Sequence, residues 1–405
     1  DCLYIVKEAI ARVLPDEAVK RALGGREFPD GRLILVSVGK AAWSMASAAH
    51  SVLGTRIDRG IVITKHGYSK GAIGDLSVRE AGHPVPDADT FSATREALEL
   101  TRGLAPEDTV LFLLSGGGSA LFEAPVIPED ELRDITGQLL ACGADIVEMN
   151  TVRKRLSGVK GGRFARHCAP ARVFTVVLSD IIGDPLDMIA SGPAYPDAST
   201  CADAVRIAEK YALRLSEAAW AALKTETPKT LSNTETHITG SVRELCAAAA
   251  GACRELGYEP QVLTDCLDCE AREAGRFLAS IARSHQNAGR SLAFIAGGET
   301  VVHITGRGRG GRNQELALAA ADGIAGLEDT AVFSVGSDGT DGPTDAAGGY
   351  ADGGSLAALR ALGFDTYDVL RRNDSYTALK AVDSLIFTGA TGTNVNDVAV
   401  ILIKR

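Results

Sequence analysis

The chain has 405 residues, of which 45% are hydrophobic and 23% charged, and its formal net charge is −10. This composition is that of a globular protein long enough for two domains, and the acidic balance argues against general nucleic-acid binding. No uninterrupted run of about 18 apolar residues occurs, so we expect no membrane span. The eight cysteines are too scattered for a disulfide framework, and we expect no signal peptide. We therefore expect a cytoplasmic protein with reduced thiols.

Short apolar runs alternate with helical patterns in the first half of the chain. The predicted strands are residues 33–38, 60–64, 109–114 and 172–178, and the predicted helices are residues 40–53, 90–102 and 129–145. This βα alternation, with strands that lack a regular apolar–polar alternation, predicts a mostly parallel sheet covered by helices on both faces.

A polar, proline-containing segment at residues 225–233 interrupts the pattern, and we place a domain boundary between residues 232 and 233. Beyond it, helices are predicted at residues 241–256 and 270–287, and strands at residues 291–296, 301–305, 330–335, 385–388 and 398–403. The link between residues 296 and 301 is so short that the strands on either side are expected to be antiparallel neighbours. The fold class is therefore α/β, with two domains, and we expect a mixed sheet in the smaller second domain.

Glycine is unusually frequent, at 44 of 405 residues, and much of it follows predicted strands. Gly39 and Lys40 lie between a strand and a helix, where the lysine charge adds to the positive end of the helix. The run Ser115, Gly116, Gly117, Gly118 and Ser119 follows the strand 109–114, and its consecutive N–H groups can converge on one anion. We interpret both loops as anion sites, with an ordinary turn and a flexible loop as the respective alternatives.

Two kinds of charge cluster stand out. Basic residues without an intervening acid lie between residues 150 and 166, and this pattern favours phosphate or carboxylate binding over a solvated helix face. They are Arg153, Lys154, Arg155, Lys160, Arg163 and Arg166. Asp180 and Asp338 follow other predicted strands, where hard oxygen ligands suit Mg²⁺, although Asp is also common in turns.

The segment 305–315 contains three arginines and a G-x-G-x-x-G match at Gly306, Gly308 and Gly311. A dinucleotide fingerprint requires an acidic residue about 20 residues on, at the end of the next strand, whereas Glu328 and Asp329 stand at that distance but before the strand 330–335. We therefore interpret this loop as an anion clamp rather than a nicotinamide site. The pair Cys266 and Cys269 has no second cysteine pair nearby, so no zinc site is expected.

Together these segments resemble the glycerate 2-kinases of the MOFRL family, the class II glycerate kinases, and the resemblance follows the chain in order over almost its whole length. The matching segments are residues 38–42, 114–120, 150–154, 159–163, 178–180, 190–193, 297–300, 306–315, 338–345, 373–376 and 391–397. Arg155, Ile182, Cys266 and Cys269 depart from the usual family pattern. The resemblance implies a Rossmann-like, three-layer N-terminal domain over residues 1–232 and a MOFRL-type α/β domain over residues 233–405.

The resemblance further implies transfer of the γ-phosphoryl group of ATP to the 2-hydroxyl of D-glycerate, with Mg²⁺, to give 2-phosphoglycerate. We expect Lys40, Arg312 and Asp180 to be catalytic, and Asp180 and Asp338 to hold the metal. The residues expected to bind the nucleotide are Ser115, Gly116, Gly117, Gly118, Ser119, Lys154, Lys160 and Asp338. The residues expected to bind the substrate are Asn150, Arg153, Glu299, Asn313 and Glu315.

Two other functions remain open from the sequence. Some relatives are labelled hydroxypyruvate reductase, so an NAD(P)H-dependent reductase is the first alternative, against which the incomplete fingerprint argues. A non-catalytic sensor of sugar acids or nucleotides is the second. The sequence names no general base, and we expect a monomer or homodimer whose partner is a small molecule.

Overall fold

A computed structural model describes all residues from 1 to 405 and separates the chain into two compact units. The larger unit consists of Ala18–Leu178 and Asp184–Thr239, and the smaller unit consists of Asp1–Glu17, Ser179–Gly183 and Gly240–Arg405. This division differs from the predicted boundary, because the start of the chain groups with its C-terminal part and residues 233–239 group with the larger unit.

The structure contains two six-stranded sheets. The strands of the first sheet are β1 (Leu33–Val38), β2 (Arg59–Lys65), β3 (Ser77–Ala81), β4 (Thr109–Leu114), β5 (Arg172–Leu178) and β6 (Thr234–Gly240). The strands of the second sheet are β7 (Glu259–Leu267), β8 (Leu292–Gly298), β9 (Thr330–Gly336), β10 (Gly348–Asp352), β11 (Leu385–Ile386) and β12 (Asp397–Ile403).

The α-helices cover these sheets and connect their strands. In chain order they are α1 (Cys2–Arg12), α2 (Pro15–Leu23), α3 (Ala42–Leu53), α4 (Ala88–Leu100), α5 (Gly118–Leu121), α6 (Glu129–Ala141), α7 (Ile146–Arg155), α8 (Arg163–Cys168), α9 (Cys201–Lys210), α10 (Glu217–Leu223), α11 (Val242–Glu255), α12 (Ala271–Ser284), α13 (Arg312–Gly323), α14 (Ser355–Ala361), α15 (Thr366–Arg371) and α16 (Ser375–Ala381). None of them has both the length and the apolar composition that crossing a membrane requires.

The first sheet has the strand order β3-β2-β1-β4-β5-β6, and β1 to β5 pair in parallel. Leu33 and Leu35 pack on one face with residues of α2 and α3. Phe112 packs with Phe122 and Phe164, at ring-centroid distances of 5.8 and 4.9 Å. The Rossmann-like order and the buried, unbroken apolar strands confirm the predicted fold class.

The strand order reverses beside β1. The chain proceeds from β1 to β2 and β3 on one side and then returns to β4 on the other side. The carboxyl ends of β1 and β4 therefore form the switch point at which α/β sheets bind ligands. The two loops that leave this point begin at Gly39 and at Ser115.

The second sheet has the order β11-β10-β9-β12-β8-β7 and is mixed, as predicted, because β7 and β8 are parallel while β12 is antiparallel to β8 and β9. The predicted strand at residues 301–305 is wrong. The N–H groups of Glu299 and Val301 donate to carbonyls of Leu267 and Cys269, and the chain then forms a loop. The antiparallel neighbour of β8 is β12, from the end of the chain, rather than a hairpin partner.

The first helix belongs to the smaller unit because its apolar face is buried there. Ile5, Val6 and Ala9 lie in one core cluster with Leu245 of α11 and Val398 of β12. Burial of such a stripe is the main source of helix stability in a folded protein. This packing explains why Asp1–Glu17 groups with the C-terminal part of the chain.

The helix predicted at residues 129–145 ends four residues earlier, and a second helix begins at residue 146. α6 ends at Ala141, and Gly143 adopts a φ of +74°. Asp145 then caps α7, where its side chain accepts the Glu148 N–H at 2.8 Å. A glycine after a helix and an aspartate before the next one are ordinary stop and start signals. The restart sets the direction of α7, which carries Asn150 and Arg153.

Candidate active site

The two loops at the switch point of the larger unit are joined to each other. The Lys40 N–H donates to the carbonyl of Gly116 at 2.9 Å, and the Ala41 N–H donates to the hydroxyl oxygen of Ser115 at 3.1 Å. Gly39 has a φ of +126°, and a Cβ at this position would lie 2.2 Å from Ser115 Oγ. Only glycine permits this approach, which makes the loops after β1 and β4 one continuous surface.

This surface presents unpaired donors. The N–H groups of Gly116, Gly117, Gly118 and Ser119 have no hydrogen-bond acceptor within the protein. Lys40 is partly buried and forms no salt bridge, and its Cγ lies 3.2 Å from the position that a Cβ of Gly117 would take. Converging N–H groups beside a free ammonium group can bind an anion such as a phosphate.

His83 joins this surface, and the sequence analysis missed it. Its ring lies 3.1 Å from the position that a Cβ of Gly117 would take. Burial lowers the pKa of His83, and the charges of Lys40 and Lys65 lower it further, so the imidazole is neutral at pH 7. The strand before it, β3, is short and half-exposed, so its sequence lacks the apolar pattern that predicts a strand. The turn at Gly82, His83 and Pro84 is the sequence feature that could have indicated this position.

A hydroxyl network supports the loop after β4. The hydroxyls of Ser119 and Ser191 lie 3.1 Å apart, and the Ser191 hydroxyl donates to the Asn150 side-chain oxygen at 2.8 Å. Arg153 Nη2 donates to the carbonyl of Ser119 at 3.2 Å. Ala190 and Ser191 both have positive φ angles, +50° and +60°, a conformation that non-glycine residues seldom adopt without a reason. The structure thus places Asn150 and Arg153 beside the predicted anion loop.

The structure contradicts the predicted surface patch of basic residues at Lys154 and Lys160. Lys154 Nζ lies 3.2 Å from Asp187 and 3.1 Å from Asp197, and Lys154 is only 2% exposed. Lys160 is fully buried, 3.0 Å from Glu123. Both lysines are therefore internal ion-pair partners rather than open phosphate ligands. Their acidic partners lie far away in sequence, which is why the segment seemed to carry unbalanced charge.

Arg312, in the smaller unit, is bound by two carboxylates. Its Nε and Nη2 donate to Asp397 at 2.5 and 3.1 Å, and its Nη1 donates to Glu299 at 2.8 Å. Burial raises the pKa of Asp397, and Arg312 partly opposes this rise. Burial alone would lower the pKa of Arg312, but its bond to Asp397 outweighs that effect and raises it. A ligand that binds Arg312 must therefore compete with Glu299, whose side chain is 46% exposed.

The N-terminus of α13 is capped by Asp341. Its carboxylate accepts the N–H groups of Asn313 at 3.1 Å and Gln314 at 2.9 Å. Burial raises the pKa of Asp341 to about 6, despite these two hydrogen bonds. The Asn313 side chain is buried between Asp341 and Ser334, whose hydroxyl donates to it at 2.5 Å. Asn313 therefore supports the start of α13, and its contact with substrate stays a prediction.

Glu315 and the loop 306–311 are also structural. Glu315 is buried and accepts a hydrogen bond from the Asn373 amide at 3.3 Å, and burial raises the pKa of Glu315. Asn373 in turn accepts the N–H groups of Thr305 and Gly306, both at 2.8 Å. Added Cβ atoms at Gly306, Gly308 and Gly310 would clash with residues 372–375. These glycines are thus needed for close packing within the protein, and the anion clamp stays a prediction.

The predicted metal ligands are carboxylates at the ends of strands. Asp338 follows β9, and one of its oxygens accepts the Thr340 N–H at 2.9 Å; Asp180 follows β5 and is partly buried. Neither belongs to a group of three potential ligands, which the structure has at His66, Asp87 and Asp89. Mg²⁺ binds through one or two carboxylates together with phosphate oxygens and water, so the oxygen donors of Asp180 and Asp338 fit it chemically.

The fold and this surface define a Rossmann-like α/β protein with unpaired N–H donors at its switch point, together with a second α/β unit that has a mixed sheet. Residues 1–224 match the model of a domain of unknown function (DUF4147), and residues 292–397 match that of the MOFRL family. A D-glycerate 2-kinase from Thermotoga maritima is 54% identical over 99% of this chain and 97% of its own length. The chain belongs to the MOFRL family of glycerate kinases, which confirms the predicted family.

Other relatives agree with this assignment over the full length. A crystal structure of glycerate kinase from Thermotoga maritima matches with a TM-score of 0.95 at 53% identity, over 99% of this chain and 98% of that chain. A glycerate 2-kinase from Pyrococcus horikoshii is 38% identical over 99% of this chain and 96% of its own length. A relative from Agrobacterium vitis, 40% identical over 98% of this chain and 93% of its own length, has a provisional hydroxypyruvate reductase name.

Proposed function

We propose that this protein is a D-glycerate 2-kinase. The reaction transfers the γ-phosphoryl group of ATP to D-glycerate: the 2-hydroxyl oxygen bonds to the γ-phosphorus as the bond to the β-phosphate oxygen breaks, giving 2-phosphoglycerate, ADP and a proton. The observation that carries the proposal is the 54% identity to a D-glycerate 2-kinase over nearly the full length of both chains. The geometry of the switch point supports it because it supplies what phosphoryl transfer requires of a protein, namely positioned donors and positive charge.

The loop after β4 is our candidate for the nucleotide phosphates. Four neighbouring N–H groups of residues 116–119 have no acceptor in the protein, and Lys40 lies beside them without a carboxylate partner. Such donors stabilise charge on phosphate oxygens without having to reorganise during the reaction. Lys40 is thus our candidate for contact with the transferring phosphoryl group, whose charge grows on its outer oxygens.

Arg312 and Arg153 are our candidates for the remaining negative charges, including the glycerate carboxylate. The guanidinium group has a fork of donors that matches a carboxylate or phosphate. Arg312 Nη1 is held by the half-exposed Glu299, which a substrate carboxylate can replace without uncovering the buried Asp397. Asn150 is held beside Ser119 through the Ser191 hydroxyl and remains a predicted substrate ligand.

A divalent cation fits the same reaction. Mg²⁺, when bound, neutralises phosphate oxygens during phosphoryl transfer. Asp338 and Asp180 are the residues we propose to hold it, because both are carboxylates at strand ends. Because Asp338 already accepts the Thr340 N–H with one oxygen, its loop holds the carboxylate in place before any cation arrives.

The proposal is tested by measuring ADP formation from ATP with a panel of sugar acids, with and without Mg²⁺. We expect D-glycerate to be the preferred acceptor and omission of Mg²⁺ to abolish turnover. An Asp338→Asn variant should need more Mg²⁺ for half-maximal rate, while Asp352→Asn, which changes an exposed carboxylate at the end of β10, serves as the matched control. Absence of glycerate-dependent ADP formation would overturn the proposal.

The alternative functions give different results in the same experiment. A reductase would oxidise NAD(P)H with hydroxypyruvate and form no ADP. The close packing of Gly306, Gly308 and Gly310 against residues 372–375 argues against a pyrophosphate at the G-x-G-x-x-G match. A non-catalytic sensor would be stabilised by its ligand without turnover. Cytoplasmic location and a monomeric or dimeric state stay predictions; all eight cysteines are free thiols.

A further inference from the structure

Directly beyond the loop after β4, the larger unit contains three neighbouring charged side chains, two of them fully buried and one partly buried. Glu123 and Lys160 are fully buried, with Lys160 Nζ 3.0 Å from the Glu123 carboxylate. Lys160 also donates to the carbonyl of Phe122 at 2.8 Å. Arg153 donates to the carbonyl of Ser119, and its Nε is buried without a hydrogen-bond partner. The group thus contains two cations and only one anion.

Such an arrangement of charges lowers the stability of the fold if its only role is structural. When apolar residues of similar volume are substituted for a buried ion pair, the stability of the protein often changes little or increases. Here an additional guanidinium group lies near the same carboxylate, and one of its donors remains unused. The surplus positive charge lies behind the four unpaired N–H groups of residues 116–119. Both features are those expected where an external anion completes the charge balance.

We propose that Glu123 is a positioning residue for the phosphate-binding loop. Its carboxylate keeps Lys160 charged and holds Lys160 and Arg153 in place. These two side chains donate to the carbonyls of Phe122 and Ser119 and thereby fix the backbone of residues 119–122. The proposal rests on the proposed function, in that the loop binds the phosphates of a nucleotide.

The charged groups that face Lys160 are Glu123 and Arg153. The pKa of Lys160 is lowered to about 8, because burial and the Arg153 charge lower it by more than Glu123 raises it. An opposite charge at this distance accounts for a pKa change of about 1–3 units. Without the Glu123 carboxylate, Lys160 would therefore lose its proton at a lower pH, and its bond to Phe122 would weaken.

The test is the affinity for ADP, measured by titration calorimetry between about pH 6 and pH 9, a range that spans the lowered pKa of Lys160. In the unmodified protein, ADP affinity should fall as the pH rises through about 8, where Lys160 loses its charge. In Glu123→Gln this fall should occur about 1–3 units lower. The Kd at pH 7 should rise about tenfold, the effect of one charge-assisted hydrogen bond. Glu123→Asp keeps the charge and should restore the original pH dependence.

Asp108→Asn is the matched control. Asp108 is also a buried carboxylate, paired with Arg32 at 2.6 Å, but it lies just before β4 at the opposite end of the sheet. This variant should lose stability without a change in the Kd for ADP or its pH dependence. Equal changes in Asp108→Asn and Glu123→Gln, or an unchanged Kd and pH profile in Glu123→Gln, would overturn the role of Glu123.

Two further outcomes separate the role of Glu123 from misfolding of the Glu123→Gln variant and from failure of the proposed function. Lys160→Met removes the titrating group, so it should abolish the fall in affinity near pH 8 even if Glu123→Gln does not fold. Persistence of that fall in Lys160→Met would contradict the proposal. If the unmodified protein binds ADP with this pH dependence but transfers no phosphoryl group to D-glycerate, the proposed function fails while the role of Glu123 stands.

Discussion

The loop at residues 115–119 and the charged cluster at the start of α13 both place glycine beside polar or charged residues in sequence, yet they differ in structure. The loop leaves four N–H groups without acceptors, beside an unpaired Lys40. In the cluster, Arg312 is bound by Asp397 and Glu299, and Asp341 caps the helix. The first region is open to a ligand, whereas the second is satisfied internally and binds a ligand only by exchanging a partner.

Arg312→Ala should have the largest effect because it changes both stability and activity. It leaves the buried Asp397 carboxylate without its bidentate partner, which should lower the free energy of unfolding by about 3 kcal/mol, the low end for a buried pair since Arg312 is partly exposed. The same change should lower kcat about 10²–10³-fold. Denaturant unfolding and steady-state kinetics measure the two effects.

The double variant Arg312→Ala with Asp397→Asn is the control for that change. It should recover part of the lost stability, because no unpaired carboxylate remains, but none of the lost turnover. An Arg312→Ala protein of unchanged stability would show that the ion pair of Arg312 is not structural, and normal turnover would remove Arg312 from the mechanism.

Lys40→Ala should affect activity alone. Lys40 forms no salt bridge, so its loss should leave the melting temperature nearly unchanged while kcat falls about 10²–10³-fold. Steady-state kinetics and thermal unfolding, measured on the same preparation, separate the effect on kcat from the effect on stability. Near-normal kcat, or a loss of stability equal to that of Arg312→Ala, would remove the contrast between the two regions.

Asp341 makes stability depend on pH. Because burial raises its pKa to about 6 from an ordinary value of 3.8, the folded protein holds this proton more tightly than the unfolded chain. Ionisation of Asp341 therefore lowers the free energy of unfolding. This loss is absent below about pH 4, grows as the pH rises towards 6, and is complete above it, on the order of 2–3 kcal/mol. The free energy of unfolding of Asp341→Asn should not decrease over this pH range. An identical pH dependence in the variant and the unmodified protein would contradict this prediction.

The smallest expected effects concern two glycines. Gly39→Ala should cost about 1–3 kcal/mol, because its φ of +126° and the contact with Ser115 both exclude a side chain. Gly137→Ala lies in the middle of α6 with nothing within 4 Å of its Cβ position, and it should gain about 0.5–1 kcal/mol. Chemical denaturation of both variants checks the sign, and two losses of equal size would contradict the positional role of Gly39.

The sequence predicted most of the first sheet because its strands are buried on both faces. β1, β4 and β5 are mostly apolar runs, and their bounds match the prediction. β3 and β7 were missed since they are partly exposed edge strands with polar residues. The mixed character of the second sheet was predicted from a strand at residues 301–305 that does not form. Neighbouring positions in the sequence do not reveal that β12 inserts between β8 and β9.

The candidate site was predictable where its chemistry is local. The loop at residues 115–119 and Lys40 follow directly from a strand end, and the structure brings them together. The roles of Lys154 and Lys160 were not predictable, because their partners Asp197 and Glu123 lie 43 and 37 residues away in sequence. His83 and Glu123 were missed for the same reason, since only the fold places them at the loop.

The most direct test of the proposed function is the identity of the product formed from ATP and D-glycerate in the presence of Mg²⁺, read by phosphorus NMR. The account predicts a single new phosphomonoester on the 2-hydroxyl, formed in equal amount with ADP and lost in Lys40→Ala. Phosphorylation of the 3-hydroxyl, or ADP formation without a new phosphomonoester, would contradict it.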